Sequence, residues 1–188
     1  MTMGTKTINL CLVLSLCFTT VLYSQKNEDK IPIPSTKIYI GGVTNNMNIN
    51  QCIIVLGEPL RNEKNIYEFG PDGLEEVYTL AYDSLIINYI KYYGKVLMSN
   101  ISVTGRKYKI IIADQSLSIG DSLSVLETLL NSSFNCRERI LNKNDEIIKL
   151  IFEINTVREN SNSFGSISIE IENGEIKRLG IIFDEDLT

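Results

Sequence analysis

The sequence of 188 residues contains no histidine and no tryptophan, and its acidic residues outnumber its basic ones. Without histidine there can be no Ser-His or Cys-His dyad, no histidine-ligated zinc and no imidazole pH switch. The formal charge of -5 argues against a protein that binds the phosphate backbone of nucleic acids. With 44% hydrophobic and 22% charged residues, the composition is that of a folded protein with one domain or two small lobes.

The first 24 residues have the pattern of a secretory signal peptide. Lys6 precedes the apolar run 8–22, and the small residue Ser24 stands before a polar stretch. The run is shorter than the roughly 20 apolar residues that a spanning helix needs. We therefore expect residues 1–24 to be removed and the protein to be periplasmic or extracellular, with an uncut membrane anchor as the alternative. Abundant Ile, Asn and Lys with two alanines indicate an AT-rich bacterial gene.

A lipoprotein interpretation competes with cleavage after Ser24. The stretch Leu14-Ser15-Leu16-Cys17 resembles a lipobox, whose cysteine would be acylated. Leu16, however, stands where a small residue is expected, and the apolar run continues past Cys17. Attachment to the membrane, as an outer-membrane-anchored protein, is therefore expected only if Cys17 is lipidated.

Two of the four cysteines, Cys52 and Cys136, remain after removal of the signal peptide. An oxidising compartment permits a disulfide between them. Equally, both can be small core residues. The sequence leaves the two alternatives open, and the absence of Cys-x-x-Cys argues against a redox catalyst.

The mature chain contains one pattern twice. Residues 25–36 are polar, include Pro32 and Pro34, and are typical of a linker. A short amphipathic segment at 48–59 then returns at 118–130, offset by 70 positions. We expect a first repeat over 37–113 and a second over 114–188.

Each repeat opens with a short helix. Asn48 and Ser118 are N-cap residue types, and Gln51 and Asp121 follow three positions later, where their side chains can reach back. Apolar residues then recur at helical spacing, with one stripe in each segment: Ile49, Cys52, Ile53 and Leu56, and Ile119, Leu123, Leu126 and Leu130. Helices of two to three turns are not stable alone, so each must pack on other structure.

Strand patterns follow each helix. The first repeat predicts strands at 66–69, 75–82, 85–92 and 96–103, and the second at 137–141, 147–154, 166–172 and 175–183, with a connecting strand at 108–113. Asn173-Gly174 marks a hairpin turn. The predicted class is α+β: two tandem helix-plus-antiparallel-meander units that form one extended antiparallel sheet, with the helices on one face and the other face open.

The segment Ser118-Ile119-Gly120-Asp121-Ser122-Leu123-Ser124-Val125-Leu126, preceded by a strand and followed by a meander, resembles the opening of the β-lactamase inhibitor protein-like fold. The SmpA/OmlA outer-membrane assembly lipoproteins look similar, and the tandem arrangement is closest to the inhibitor type. The resemblance covers most of 37–183 as a pattern rather than as identity. It implies an exported binding protein without a catalytic centre, and it names neither a target nor contact residues.

The sequence contains few motifs that indicate catalysis, metal binding or cofactor binding. It contains no nucleophile motif, no phosphate loop and no EF-hand spacing, so we expect no catalytic residue, no metal site and no cofactor. The alternatives are a structural outer-membrane lipoprotein and a hydrolase with paired carboxylates in a sheet cleft. The candidate carboxylates of the hydrolase are Glu75 with Glu76, which alternate between the two faces of a strand, and the C-terminal group Asp184, Glu185 and Asp186.

Tyrosines concentrate in the first repeat. Tyrosine is a favoured anchor at protein interfaces, and it also fills the cores of sheets. Both interpretations stay open. If a partner surface exists, we expect it on the outer sheet face of the first repeat, with Tyr82 and Tyr89, and with Tyr92 if a bulge turns that side chain. The expected role is non-enzymatic protein binding or an envelope-associated function, with another protein and not a nucleic acid as the partner.

Overall fold

The computed structural model describes residues 31–68, 73–92, 94–126, 129, 136–158 and 161–183; for residues 92, 155–158 and 161–164 it describes the backbone alone. The predicted signal peptide, with Cys17, lies outside these ranges. The described residues belong to one compact unit. Most of the described residues lie in β-strands, as the sequence patterns predict, and none of the helices among them is long and apolar enough to cross a membrane.

The strands follow one another along the chain with few other elements between them. The first six strands are β1 (Ile33–Pro34), β2 (Ile38–Ile40), β3 (Arg61–Glu68), β4 (Leu74–Ala81), β5 (Leu85–Tyr92) and β6 (Lys95–Val103). The other six are β7 (Ile110–Ile112), β8 (Gln115–Leu117), β9 (Cys136–Leu141), β10 (Ile147–Arg158), β11 (Ser161–Glu172) and β12 (Glu175–Phe183). One α-helix, α1 (Ile49–Leu56), and two 3-10 turns, Ser35–Lys37 and Leu123–Leu126, complete the described elements.

Nine of the described strands form one large sheet. Its order is β3-β4-β5-β6-β12-β11-β10-β1, and β9 also pairs with β10. The meander β3–β6 and the meander β9–β12 meet where β6 pairs antiparallel with β12, with Ile101 opposite Ile181. A separate three-stranded sheet has the order β2-β7-β8.

The large sheet is mixed, which corrects the prediction of a purely antiparallel sheet. The two residues of β1 pair parallel with β10, with Ile33 opposite Ile154. The predicted linker 25–36 is wrong over these residues, because Ile33 and Ser35 are buried in the fold. Pro34 gave the segment the character of a tether, but proline is also accepted at a sheet edge, where no N–H is needed.

Helix α1 begins as predicted. The Asn48 side chain accepts a hydrogen bond from the Gln51 backbone N–H at 3.0 Å, and the Gln51 side chain accepts one from the Asn48 N–H at 2.8 Å. This reciprocal capping box satisfies two N–H groups that the first turn leaves unpaired. The helix ends at Gly57, which has a φ of 85°.

The segment predicted as the second helix differs from the prediction over the residues that the structure describes. Asp121 does reach back, and its carboxylate accepts a hydrogen bond from the Ser118 backbone N–H at 2.7 Å. The following element is nevertheless the 3-10 turn Leu123–Leu126, tied to the β11–β12 turn because the Leu123 N–H donates to the Gly174 carbonyl. Leu130, the last residue of the predicted stripe, lies outside the described residues.

The core lies on one side of the large sheet, which we call the inner face. Leu80, Ile87, Ile169 and Ile181 point into it from four strands and are buried. Cys52 of α1 and Leu126 of the second 3-10 turn belong to the same buried cluster, as do apolar residues of the small sheet: Ile38, Ile40, Ile110, Ile112 and Leu117. The helix, the 3-10 turn and the small sheet therefore supply apolar cover for the inner face.

Candidate protein-binding face

The opposite side of the large sheet, the outer face, is the open one. Along β12 the buried residues Leu179 and Ile181 alternate with Gly180, which is partly exposed, and Ile182, which is exposed. Among the described strand residues on this face, Ala81 alone is buried. The sheet thus leaves its outer face accessible to solvent.

A ladder of polar side chains crosses the outer face of the first meander. The Thr79 hydroxyl donates to the Asn88 side-chain oxygen at 2.7 Å, and the Asn88 amide donates to the Asn100 side-chain oxygen at 2.9 Å. These residues lie directly opposite one another on β4, β5 and β6. Because each amide is fixed by its neighbour, the ladder presents hydrogen-bonding groups in a defined orientation.

A row of small residues continues beside the ladder. Ser102, Gly180 and Ser168 face one another across β6, β12 and β11. The row runs from Ile86 on β5 to Ile151 on β10. Small side chains between larger aliphatic ones form a shallow trough, which we call the serine-glycine trough and define by Ser102, Gly180 and Ser168. Next to it Ile182, half-exposed, lies opposite Asn100.

The predicted tyrosines do not lie on this face. Tyr89 is fully buried on the inner face, and Tyr82, just after β4, is 8% exposed, so the prediction that they form a partner surface is wrong. Both side chains point instead to the inner face, which α1 covers. The side chain of Tyr92 lies outside what the structure describes.

Tyr89 is a polar contact within the core. Its hydroxyl donates to the Met47 carbonyl at 3.2 Å and lies 2.8 Å from the Cys52 sulfur. Burial raises the pKa of both the Tyr89 phenol and the Cys52 thiol, so both stay protonated near neutral pH. Burial also raises the pKa of Tyr82 to about 12.

The two cysteines are free in the structure, so the predicted alternative of a disulfide between them is not what it contains. Cys52 lies in the core beside Tyr89, whereas Cys136 begins β9, opposite Phe152, and is partly buried. The other alternative, that both are small apolar-packing residues, describes both positions.

The carboxylates proposed for hydrolysis are not brought together. Glu75 lies on the outer face opposite Tyr67, and Glu76 on the inner face opposite Ile66. Asp184, Glu185 and Asp186 lie outside the described residues. Within the described ranges, no three Cys, Asp or Glu side chains are grouped as a metal site requires.

Glu76 belongs to an ion-pair cluster at the β3 end of the inner face. Its carboxylate contacts the Lys64 ammonium at 2.9 Å and the Lys91 ammonium at 3.2 Å, and accepts a hydrogen bond from the Tyr78 hydroxyl at 2.8 Å. Lys64 first, then Tyr78 and Lys91, lower the pKa of Glu76 to about 2. A carboxyl group that is ionised at all ordinary pH values is unsuited to general acid catalysis.

Sequence reasoning missed the polar ladder. A signal was present, because asparagine is depleted in strands and yet Asn88 and Asn100 interrupt two β-rich runs. It also missed the first half of β3, where the polar run Arg61–Asn65 has low strand propensity.

No protein-family model matches this chain, and neither the curated proteins nor the solved structures contain a significant match to it.

Proposed function

We propose that this chain is an exported, non-enzymatic protein-binding protein whose signal peptide is removed after Ser24, and that it binds its partner through the outer face of the large sheet. The observation that carries the proposal is the outer face itself. It combines accessible aliphatic residues, Ile86 and Ile182, with the fixed Thr79–Asn88–Asn100 ladder. Apolar contact area beside oriented polar groups is the composition of protein interfaces.

The shape of the face favours a protein partner. The serine-glycine trough leaves room along a sheet surface, and a β-carbon added at Gly180 would approach the Ser168 hydroxyl no closer than 3.9 Å. The trough is shallow and spans several strands, which suits a protruding loop or strand of another protein better than a small molecule that needs enclosure.

We further propose that the chain consists of two tandem helix-meander units, in keeping with the resemblance to the β-lactamase inhibitor protein-like fold. The strand order supports this, because each meander ends in the strand, β6 or β12, that pairs with the other. The small sheet supports it as well, because β2 precedes α1 and β8 precedes the second 3-10 turn. An open sheet formed by two such units would offer one continuous binding surface.

Capture from an envelope extract tests the binding surface. Ile182→Glu places a charge on the outer face, and Ser168→Arg fills the trough. Ile54→Glu is the matched control, because Ile54 is an exposed apolar residue on α1, 82% accessible. We expect wild type and Ile54→Glu to retain the same protein and the two outer-face variants to lose it. Equal capture by all four proteins, or by none, contradicts the proposal.

The mass of the N-terminus tests export. The proposal requires a free amino group at Gln25 in protein isolated outside the cytoplasm. Acylation at Cys17 would establish the lipoprotein alternative instead, and an uncut chain would contradict both.

A further inference from the structure

Among the described strands, β3 forms an edge of the large sheet. All eight of its residues, Arg61–Glu68, are exposed, and β4 is the one described strand with which its backbone pairs. Alternate N–H and C=O groups therefore point outward from its free side, where an added strand would find partners for them. This edge is distinct from the outer face, so the inference drawn from it does not depend on the function proposed above.

Its residue pattern is self-complementary. When two copies of an edge strand pair antiparallel across a two-fold axis perpendicular to the sheet, residues that face each other must lie on the same face. On β3 the even-numbered residues lie on the inner face with Tyr78, and the odd-numbered ones on the outer face with Thr79. An axis through Ile66 sets Lys64 of each copy opposite Glu68 of the other, on the inner face.

In this register the other facing residues of the two strands also form compatible pairs. Ile66, 58% exposed, meets its own counterpart on the axis, and Asn65 meets Tyr67 on the outer face. Opposite charges directly across an antiparallel pair stabilise it, and like charges destabilise it. An axis through Lys64 or Glu63 would set a residue against its own charge, and an axis through Asn65 would form no ion pair.

A second register, with the axis through Asn62, would pair Arg61 with Glu63. That axis lies at the second residue of β3, next to the turn with Gly57 and Pro59 that follows α1, so within β3 only residues 61–63 could pair. The Ile66 axis uses the part of β3 that is farther from that turn.

We propose that two copies of this protein associate through β3, antiparallel about Ile66, so that their two large sheets become one continuous sheet. The partner is a second copy because the charges on the edge complement themselves. The contact is narrower than a standard protein interface, so the dimer forms at high protein concentration and dissociates on dilution.

Sedimentation equilibrium of the purified protein with charge-reversed variants tests the pairing. Glu68→Lys sets two lysines opposite each other, and Lys64→Glu sets two glutamates opposite each other. Each variant alone should therefore dimerise at least tenfold more weakly than wild type. An equimolar mixture of the two restores complementary pairs and should associate again. Glu63→Lys is the matched control, because the Ile66 axis pairs only residues 64–68 within β3 and sets no described residue opposite Glu63; it should dimerise as wild type does.

Wild type that stays monomeric at all concentrations overturns the proposal, as does a mixture that associates no better than its components. Glu68→Lys decides the matter even if Lys64→Glu disturbs the hairpin, since Lys64 also contacts Glu76.

Spin-label distances test the register. Nitroxides attached through Ile66→Cys should lie next to each other across the axis, whereas those attached through Asn62→Cys should lie about 26 Å apart along the strands, eight residues at about 3.3 Å each. Both labels belong in a Cys136→Ser background, because Cys136 is partly accessible. The reverse order, with the labels at position 62 closer, would contradict pairing about Ile66.

Discussion

The two faces of the large sheet differ both in the residues they carry and in what covers them. On β12, Ile181 and Ile182 are adjacent and identical in type, yet Ile181 is fully buried and Ile182 is 50% exposed. Polar groups follow the same division. Tyr89 on the inner face bonds to Met47 and Cys52 within the core, whereas Asn88, its neighbour on β5, bonds along the outer surface. Period-two alternation therefore shows which residues lie together, and the rest of the chain decides which group is buried.

The largest expected difference in unfolding free energy between the two faces is that between substitutions of Ile181 and Ile182. Ile181→Ala removes buried methyl groups and leaves a cavity, which costs about 2–5 kcal/mol of unfolding free energy. Ile182→Ala changes a half-exposed side chain and should cost about 1 kcal/mol or less. Urea unfolding followed by circular dichroism measures both. Equal losses would mean that the outer face is covered as well.

A second difference in stability is expected within the inner face, between substitutions of the buried tyrosines Tyr89 and Tyr82. Tyr89→Phe leaves the Met47 carbonyl and the Cys52 thiol without their hydroxyl partner and should cost about 1–2 kcal/mol. The Tyr82 hydroxyl, by comparison, is buried and has no hydrogen-bond partner among the described residues. Tyr82→Phe should therefore be neutral or stabilise the protein by up to about 1 kcal/mol. The same unfolding experiment compares the two variants, and a larger loss for Tyr82→Phe would contradict the assignment.

Local features were the most predictable part of the fold. The capping box at Asn48 and Gln51 is confirmed, and both residues of the Asn173-Gly174 turn have the positive φ that such a turn needs. Most strand positions also follow from alternation and turn residues. These features depend on a few neighbouring residues, so a single sequence contains the information for them.

The candidate site was less predictable, because it depends on distant parts of the chain. Tyr89 is buried since α1, some 37 residues earlier, places Cys52 over it. Similarly, Ile33 is buried because β1 pairs with Ile154 far along the chain. Neither relation leaves a periodic signal. The outer face could have been found instead from the two asparagines, Asn88 and Asn100, that interrupt otherwise apolar strands.

The smallest expected effect on folding stability is that of Glu76, at the uncovered end of the inner face. Lys64, Tyr78 and Lys91 lower the pKa of its carboxyl from an ordinary 4.5 to about 2. The folded protein thus binds this proton less readily than the unfolded chain does, so the carboxylate stabilises the fold above about pH 4.5, and this stabilisation is lost as the pH falls toward 2. Because the groups are accessible to solvent, the contribution is modest and weakened by salt.

Urea unfolding at several pH values measures this effect. Glu76→Gln should remove part of the acid-dependent loss of stability between about pH 4.5 and 2. Lys64→Met should reduce it more than Lys91→Met does, because Lys64 lies closer to the carboxylate, at 2.9 Å against 3.2 Å. If Glu76→Gln leaves the acid transition unchanged even at low ionic strength, the cluster contributes nothing to folding. In that case the side chains at the uncovered end of the inner face would contribute as little to folding stability as exposed side chains of the outer face do. The difference in stability between the two faces would then be confined to the part of the inner face that lies beneath α1 and the small sheet.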